Sequence, residues 1–343
     1  MITIGVGNTG CKLALMFDKS AMLLSTAEQD TNNFAKENKV LTFSDQGAAK
    51  RFNAGIKIWE DNAEKLRYTV RAVTNEKVII FSSLGGGSGS SSLYPLSSVL
   101  IEQGCKILIA AVMPYKKEIN PPLANAVQSL NALMPVIDKV SVMVFDNEKL
   151  LKEYENDWTN INNHIVMTVD YVVNLLSKYS TDDYSPVTLD QSELESVIFG
   201  GGFLDMSDSF LEETPPKFEY GSLDKETKNC LFCMFVNTDI KDADQIDSYQ
   251  NRLTDVIRKY STRVTNARLI PGILRAQVNF TNSSNPNITD RAYVTIASGL
   301  SIDRYLKKLE KVKDEALKRA EVWGKHGKGA KILKTKDKST LDI

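Results

Sequence analysis

The feature that most constrains this chain is an alternation. Five short aliphatic runs, MITIGVG, SAMLLST, EKVIIFSSL, CKILIAAVM and KVSVMVFDN, follow one another up to Asn147. Between them stand segments with helical periodicity: GCKLALMFD, AGIKIWEDNAEKLRYTVRAV, LYPLSSVLIEQG and LANAVQSLNALMPVI. Apolar runs of strand length alternating with 3.6-residue patterns predict an α/β unit, a parallel sheet with helices on both faces. At 343 residues the chain is also long enough for a second core.

Two glycine-rich turns sit inside this pattern. LGGGSGSSS, Leu84–Ser92, has the composition of a flexible linker. Its flanks argue otherwise, because it joins a buried strand to a helix within one layer. A strand–glycine turn–helix unit points backbone N–H groups and the positive end of the helix at an anion. Gly85, Gly86, Gly87, Ser88, Gly89 and Ser90 are therefore candidate phosphate binders, although no lysine follows the last glycine as a Walker loop requires. The second turn, GVGNTG at Gly5–Gly10, satisfies G-x-G-x-x-G. Alone it would suggest a dinucleotide fold, with an acid about 20 residues further on to hold a ribose, where Glu28 and Asp30 stand. A nicotinamide-dependent oxidoreductase is thus an alternative, but such an enzyme has no use for a second phosphate turn.

The charge balance, 42 basic against 43 acidic residues, gives no global reason to expect nucleic acid or a membrane as partner. The opening residues run straight into a strand pattern without a signal-peptide layout, and no apolar stretch is long enough to span a bilayer. With four cysteines, a reducing, cytoplasmic setting is expected. Cys230 and Cys233 form C-x-x-C, but NCLFCMFVN reads as a strand, which turns residues three apart to opposite faces. They are expected to be buried structural thiols, and no metal site is expected.

Two glycine turns of this kind in one α/β unit resemble the tubulin/FtsZ family of self-assembling GTPases, whose signature is GGGTGTG-like; Ser88 and Ser90 stand in the threonine places here. The similarity runs in order through roughly residues 1–300. GVGNTGC is similar to the first nucleotide loop, which assigns Gly7, Asn8, Thr9, Gly10 and Cys11 to the nucleotide. LLSTAEQD resembles the INTDAQ strand end, with Ala27 replacing the acid. DQGAAKRFNAG resembles the loop that senses the γ-phosphate, with Gly47, Ala48 and Ala49 as backbone donors. VMPYKKE resembles the TKPF turn, and FDNEKLL, similar to IPNDKLL, places Asn147 at the site. NINNHIVMTVDYVVNLLSKY resembles the central helix, in which Asn162, with Asn163 one step away, stands where the family contacts guanine; both could equally be helix caps. VTLDQSELESV resembles the loop of catalytic acids, with Asp190 and Glu193 in the acidic places and Thr188 replacing an asparagine. From spacing alone, acids in a first helical turn would serve the helix dipole. RAYVTIASGL, Arg291–Leu300, resembles VRVTVIATGL in the family's second domain.

The resemblance implies a nucleotide-binding GTPase domain over 1–158, a central helix over 159–180 and the acid loop with its following helix over 181–219. A smaller α+β second domain follows over 220–300, then a C-terminal helix over 301–324 and a lysine-rich tail over 325–343. It implies GTP with phosphate-bound Mg²⁺ as ligands. It also implies head-to-tail assembly in which the acids of one subunit reach the GTP of the next. Such contacts are heterologous and open, so they build filaments. The long charged C-terminal segment is most similar to the plasmid- and phage-borne TubZ and PhuZ types, in which the tail meets a neighbouring subunit or a DNA-bound adaptor. Lys325, Lys328, Lys331, Lys334, Lys336 and Lys338 could also meet DNA directly. An FtsZ-like division protein is the nearest alternative; the resemblance would then lead one to expect a short membrane-adaptor peptide, and none is recognised in KSTLDI. The partners expected are this chain itself and a DNA-bound adaptor or plasmid or phage DNA complex, with no membrane.

Overall fold

The structure, a computed structural model, describes residues 1–31, 34, 40–45, 47–115, 121–178, 180–181, 189–207, 216, 218, 220–237, 243–262, 264–276, 291–303 and 305–314. Residues 116–118 of VMPYKKE, Thr188, the end of the expected C-terminal helix and the lysine-rich tail lie outside them. The chain divides into two compact units. One comprises residues 1–136, 144–166 and the described residues from 303 onward, the other residues 137–143 and 167–302.

In chain order the first unit begins with β1 (Ile2–Val6), α1 (Gly7–Phe17), β2 (Met22–Ser25), α2 (Glu28–Thr31), β3 (Val40–Thr42), α3 (Phe52–Asp61) and α4 (Ala63–Val70). It continues with β4 (Lys77–Ser83), α5 (Gly87–Glu102), β5 (Lys106–Met113) and α6 (Pro121–Leu133). The strands lie in the order β3-β2-β1-β4-β5, every pair parallel, with Ile4 opposite Ile80 and Ile80 opposite Ile109. β4 and β5 are buried at nearly every position, as a parallel sheet covered on both faces requires. The order reverses between β1 and β4. In open α/β sheets the crevice at the carboxyl ends of such a strand pair is where ligands bind.

Several elements differ from their expected bounds. The segment read as one helix over 54–73 breaks into α3 and α4 at Asn62, whose side-chain amide donates to Ile58 O at 2.8 Å. The helix expected to run to Ile137 gives way at Met134 to a 3₁₀ turn, where Pro135 has no N–H with which to continue it. The largest difference concerns the glycine–serine run. It is not a loop before a helix: from Gly87 onward it is the helix. Ser90, Ser91, Ser92 and Ser97 are almost wholly buried. The first three turn their hydroxyls back onto the carbonyls of Gly86, Gly87 (2.6 Å) and Gly89 (2.8 Å). Trp59, itself buried, donates from Nε1 to Ser91 Oγ at 3.1 Å. The small side chains let α3 cross α5 closely, since a Cβ on Gly55 would lie only 2.6 Å from Gly87 O.

Further on come β6 (Val140–Asp146), α7 (Asn147–Glu153), α8 (Trp158–Val173), α9 (Leu175–Lys178), β7 (Ser180–Thr181) and α10 (Gln191–Ile198). They are followed by β8 (Gly202–Ser207), β9 (Asn229–Asn237), α11 (Ala243–Ser261), β10 (Arg268–Ala276) and β11 (Arg291–Leu300). The expected long central helix begins two residues earlier than its pattern suggested and is interrupted at Asn174.

The second unit is mixed α+β. Residues 141–143 pair parallel with β8, β11 runs antiparallel between β8 and β9, and β9 pairs parallel with β10. Cys230 and Cys233 lie fully buried on β9, both as free thiols. Burial pushes the Cys233 thiol up to about 12 and Cys230 higher still. Among the described residues no cluster of His, Cys, Asp or Glu could hold a metal, and no helix is long and apolar enough to cross a membrane.

Candidate nucleotide site

The site forms where two helices start at the carboxyl ends of β1 and β4. α1 begins at Gly7 behind Val6, and α5 at Gly87 behind Gly86; neither start has a side-chain cap. A helix start leaves backbone N–H groups without intrahelical partners. Two such starts side by side concentrate donors and positive potential in one place. Here they border a cavity of about 630 Å³, within the usual range for a small-molecule site.

Of the residues assigned from sequence, Gly7, Asn8, Thr9, Gly47, Ala48, Ala49, Gly85, Gly86, Gly87, Ser88, Gly89, Asn147 and Asn162 all line this cavity. Gly10, Cys11 and Ser90 are buried and not among the lining residues. The Cys11 thiol donates to Gly5 O and Leu24 O, and burial pushes it up to about 12, so it packs α1 against the sheet. Asn163 is exposed and does not line the cavity. Ser88 Oγ lies 2.5 Å from Thr26 Oγ1.

Two lining amides are unsatisfied. The Oδ1 atoms of Asn8 and Asn147 are buried and have no hydrogen-bond partner among the described residues. Buried acceptors without partners are rare in native proteins, and two around one cavity mark groups prepared for donors on a ligand. Ribose hydroxyls and the N–H groups of guanine are such donors.

The segment after β3 lies against the start of α5 and adds a further wall. Gly47, Ala49 and Lys50 all have positive φ, at 67°, 47° and 58°. Two consecutive non-glycine residues in the left-handed region are uncommon and cost conformational energy. At Gly47 the chain passes so close to Ala27 that a Cβ would lie 2.7 Å from the alanine's own. A small residue at position 27, where the family resemblance expects an acid, is what that approach allows. Gly87 needs its missing side chain for a different reason: its conformation is helical, but a Cβ would lie 2.7 Å from Ala48 Cβ and 3.0 Å from Arg51 N. A Cβ on Gly86 would meet nothing within 4 Å.

The lining also includes residues to which the sequence assigned no role, Trp158, Lys12 and Lys50 among them. Trp158, 49% exposed, stands one turn before Asn162 on α8, and i, i+4 spacing puts the two on one face. Lys12, Lys50 and Asp30 also line the cavity, and the Asp30 carboxylate accepts from Ser25 Oγ at 2.5 Å. Glu28, the other acid weighed from sequence, is exposed and not among the lining residues.

The acid pair belongs to the second unit, and every described lining residue of the cavity belongs to the first. Asp190 is the N-cap of α10 and Glu193 its N3 residue, joined in a capping box. Asp190 Oδ1 accepts from Glu193 N at 2.7 Å, and Glu193 Oε2 accepts from Asp190 N at 3.4 Å. Glu193 Oε1 lies 3.1 Å from Arg268 Nη2. The backbone donor at Glu193 holds the Asp190 carboxyl below its ordinary range, with Ser192 and Arg268 assisting.

A magnesium ion fits this site only as a companion of phosphate. Among the described residues Asp30 is the single carboxylate in the lining, whereas Mg²⁺ is held by one or two protein groups together with substrate phosphates in many nucleotide sites.

Comparison with known proteins agrees with this geometry. Residues 1–155 match the model described as "Tubulin/FtsZ family, GTPase domain". The cell division protein FtsZ of Helicobacter pylori strain J99 is 24% identical over 217 residues, 59% of this chain and 55% of its own length, so the match spans about half of that relative. The GTPγS-form protofilament of TubZ from Bacillus thuringiensis serovar israelensis superposes over 93% of both chains with a TM-score of 0.73 at 17% identity. TubZ of Clostridium botulinum phage c-st superposes over 93% of this chain and 97% of its own with a TM-score of 0.64 at 13% identity. From the glycine turns to RAYVTIASGL, the chain has the fold of the TubZ structures, and its residues 1–155 match the Tubulin/FtsZ-family GTPase domain.

Proposed function

We propose that this chain binds GTP in the cavity between β1 and β4 and hydrolyses it on assembling head to tail into filaments. The carrying observation is the pair of uncapped helix starts, α1 and α5, bordering one cavity with the unsatisfied amides of Asn8 and Asn147. Backbone N–H groups at Gly7–Thr9 and Gly86–Ser88 take the phosphates. Asn8 and Asn147 accept from the sugar or base. Asn162 reads the guanine edge while Trp158 packs on its face, as an aromatic beside a purine does. Bound with the phosphates, Mg²⁺ would neutralise charge there, with Asp30 and the hydroxyl of Ser88 as the polar groups at hand.

Hydrolysis needs a group that orients water, and among the described residues the lining offers one carboxylate, already bonded to Ser25. Asp190 and Glu193 supply it from a neighbouring subunit: Asp190 fixes the start of α10, and Glu193 orients or deprotonates the water. Assembly and hydrolysis are thereby coupled, and loss of the γ-phosphate weakens the contact. The filament works in the cytoplasm, segregating or positioning plasmid or phage DNA through an adaptor that meets the lysine-rich tail. The likeness to TubZ protofilaments supports this reading, and the sequence match to FtsZ favours a second one, a cell-division filament.

The test is equilibrium binding of GTP, ATP and NAD to the purified chain, followed by sedimentation with each. Guanine-selective binding with GTP-dependent pelleting is expected. Tighter binding of NAD, or no pelleted material at any protein concentration, would contradict the reading.

A further inference from the structure

A hydrogen bond outside the cavity lining joins the two helices that bring Asn147 and Asn162 to it. Tyr154 closes α7, and His164 stands in the second turn of α8. Tyr154 Oη and His164 Nδ1 lie 2.8 Å apart, and the two rings meet at a centroid distance of 5.3 Å. Both residues are half-buried, and neither is among the lining residues.

The bond brackets the residues that line the cavity from α8. Trp158 and Asn162 share one face of that helix. At the helical repeat, His164 is turned about 200° from Asn162 and about 240° from Trp158. It therefore grips α8 from the side away from the cavity, and a partner held there resists rotation of the helix about its axis. Ile161 and Ile165, buried beneath α8, hold it by apolar contact, which has no preferred direction. A hydrogen bond is directional. The connection between the helices adds its own constraint. Glu155 and Asn156 lie in the left-handed region, at φ 49° and 66°, a conformation that persists only where its surroundings enforce it. Asn156 N donates to Leu151 O and Asp157 N to Tyr154 O, each at 2.8 Å, and Asp157 caps α8 through Thr159 N. These bonds fix where α8 begins and leave its rotation to the contacts further along it.

We propose that Tyr154 and His164 are positioning residues for base recognition, their bond setting the rotation of α8 that presents Trp158 and Asn162 to a guanine. This rests on the reading of the cavity as a GTP site with its base against α8. Since neither residue lines the cavity, each acts through Trp158 and Asn162. The N–H groups at the starts of α1 and α5 belong to other elements, so phosphate binding does not depend on this bond.

The experiment is equilibrium binding of GTP, ATP and inorganic tripolyphosphate with Mg²⁺ to the full chain, below the concentration at which it assembles. Tyr154→Phe keeps the ring and removes the hydroxyl. It should lose about fivefold in GTP affinity, the size of one neutral hydrogen bond, and narrow the GTP:ATP ratio, with tripolyphosphate affinity unchanged. His164→Leu should behave alike. His164→Asn, whose amide offers a donor and an acceptor near the place of Nδ1, should recover most of the loss. In a Trp158→Ala, Asn162→Ala background, Tyr154→Phe should cost nothing further, because the groups it positions are gone. Unchanged GTP affinity in a folded Tyr154→Phe, equal losses for GTP and tripolyphosphate, or the same loss persisting in that background would overturn the proposal. If Tyr154→Phe does not fold, His164→Leu against His164→Asn decides by the same split. Wild type that binds no guanine nucleotide, or that binds GTP no better than tripolyphosphate, would instead overturn the reading of the site on which the proposal rests.

Discussion

Two helices of this chain begin in opposite ways. α5 starts behind Gly86, which has no side chain to accept from its N–H groups, and its first residues line the cavity. α10 starts behind Asp190, with Glu193 completing a reciprocal box. The first end is left open and needs an external acceptor; the second is satisfied by its own side chains. An unsatisfied helix start is therefore the stronger mark of a ligand. Acids at a satisfied one must act in addition to their capping work, or be released from it.

The two bonds of the box are unequal. Asp190 accepts at 2.7 Å, whereas the return bond from Glu193 is 3.4 Å and at the weak limit of hydrogen bonding. Glu193 is thus the acid free to turn toward a substrate, exchanging a long backbone bond and a part-exposed contact with Arg268. Asp190 is the acid that keeps the helix start in place.

The largest effect should come from the looser acid. Glu193→Ala should lower GTP turnover about 100-fold or more, the usual contribution of a positioned acid or base, while GTP affinity stays at the wild-type value; turnover assays paired with binding isotherms check both. Full turnover in this variant would break the contrast between the two helix starts. Next comes the open end itself. Gly86→Val should fold, since a Cβ there meets no atom, yet lose about tenfold or more in GTP affinity by intruding on the phosphate donors; unchanged affinity would mean that α5 does not hold phosphate.

A smaller effect is expected at the far end of the cavity. Trp158→Ala should weaken GTP roughly fivefold, in line with one base–aromatic contact, and weaken inorganic triphosphate not at all. Equal losses for both would remove Trp158 from the base. The smallest effect tests the closed end. Because the Asp190 carboxyl is held below its ordinary range, its contribution to stability is complete above the ordinary carboxylate pKa of about 3.9. It fades as pH falls through the lowered folded value. Asp190→Asn keeps a good N-cap without a titrating group, so its acid-unfolding curve should be slightly shallower than wild type. Identical curves would show that the capped end carries no such linkage.

Much of this was legible in the sequence because it rests on local patterns. The aliphatic runs became parallel strands, and the two glycine turns opened on one cavity, since a turn between a buried strand and a helix has few other conformations available. The helical state of Gly87–Ser92 was not legible: serine and glycine favour helices weakly, and here burial under α3 overrides propensity. Trp158 was missed because the helical pattern was started at Asn160, whereas Asp157 caps the helix earlier, accepting from Thr159 N at 2.8 Å. Lys50 was invisible for a different reason. Nothing in Ala-Ala-Lys announces two left-handed residues, and the amide that donates to Lys50 O belongs to Asn125, 75 positions away in the chain. The capping box could be read as spacing, but the unequal lengths of its two bonds could not.

The central claim is that one chain holds GTP and a neighbouring chain supplies the acid. Initial GTPase rate per subunit, measured over a wide range of protein concentration at saturating GTP, tests it most directly. The account predicts negligible turnover at low concentration and a steep rise through the concentration at which polymer first sediments. Turnover should then level off, and added Glu193→Ala protein should suppress it beyond simple dilution by co-assembling. A rate per subunit that stays constant from the dilute monomer to the polymer would contradict it, because all the catalytic groups would then reside in a single chain.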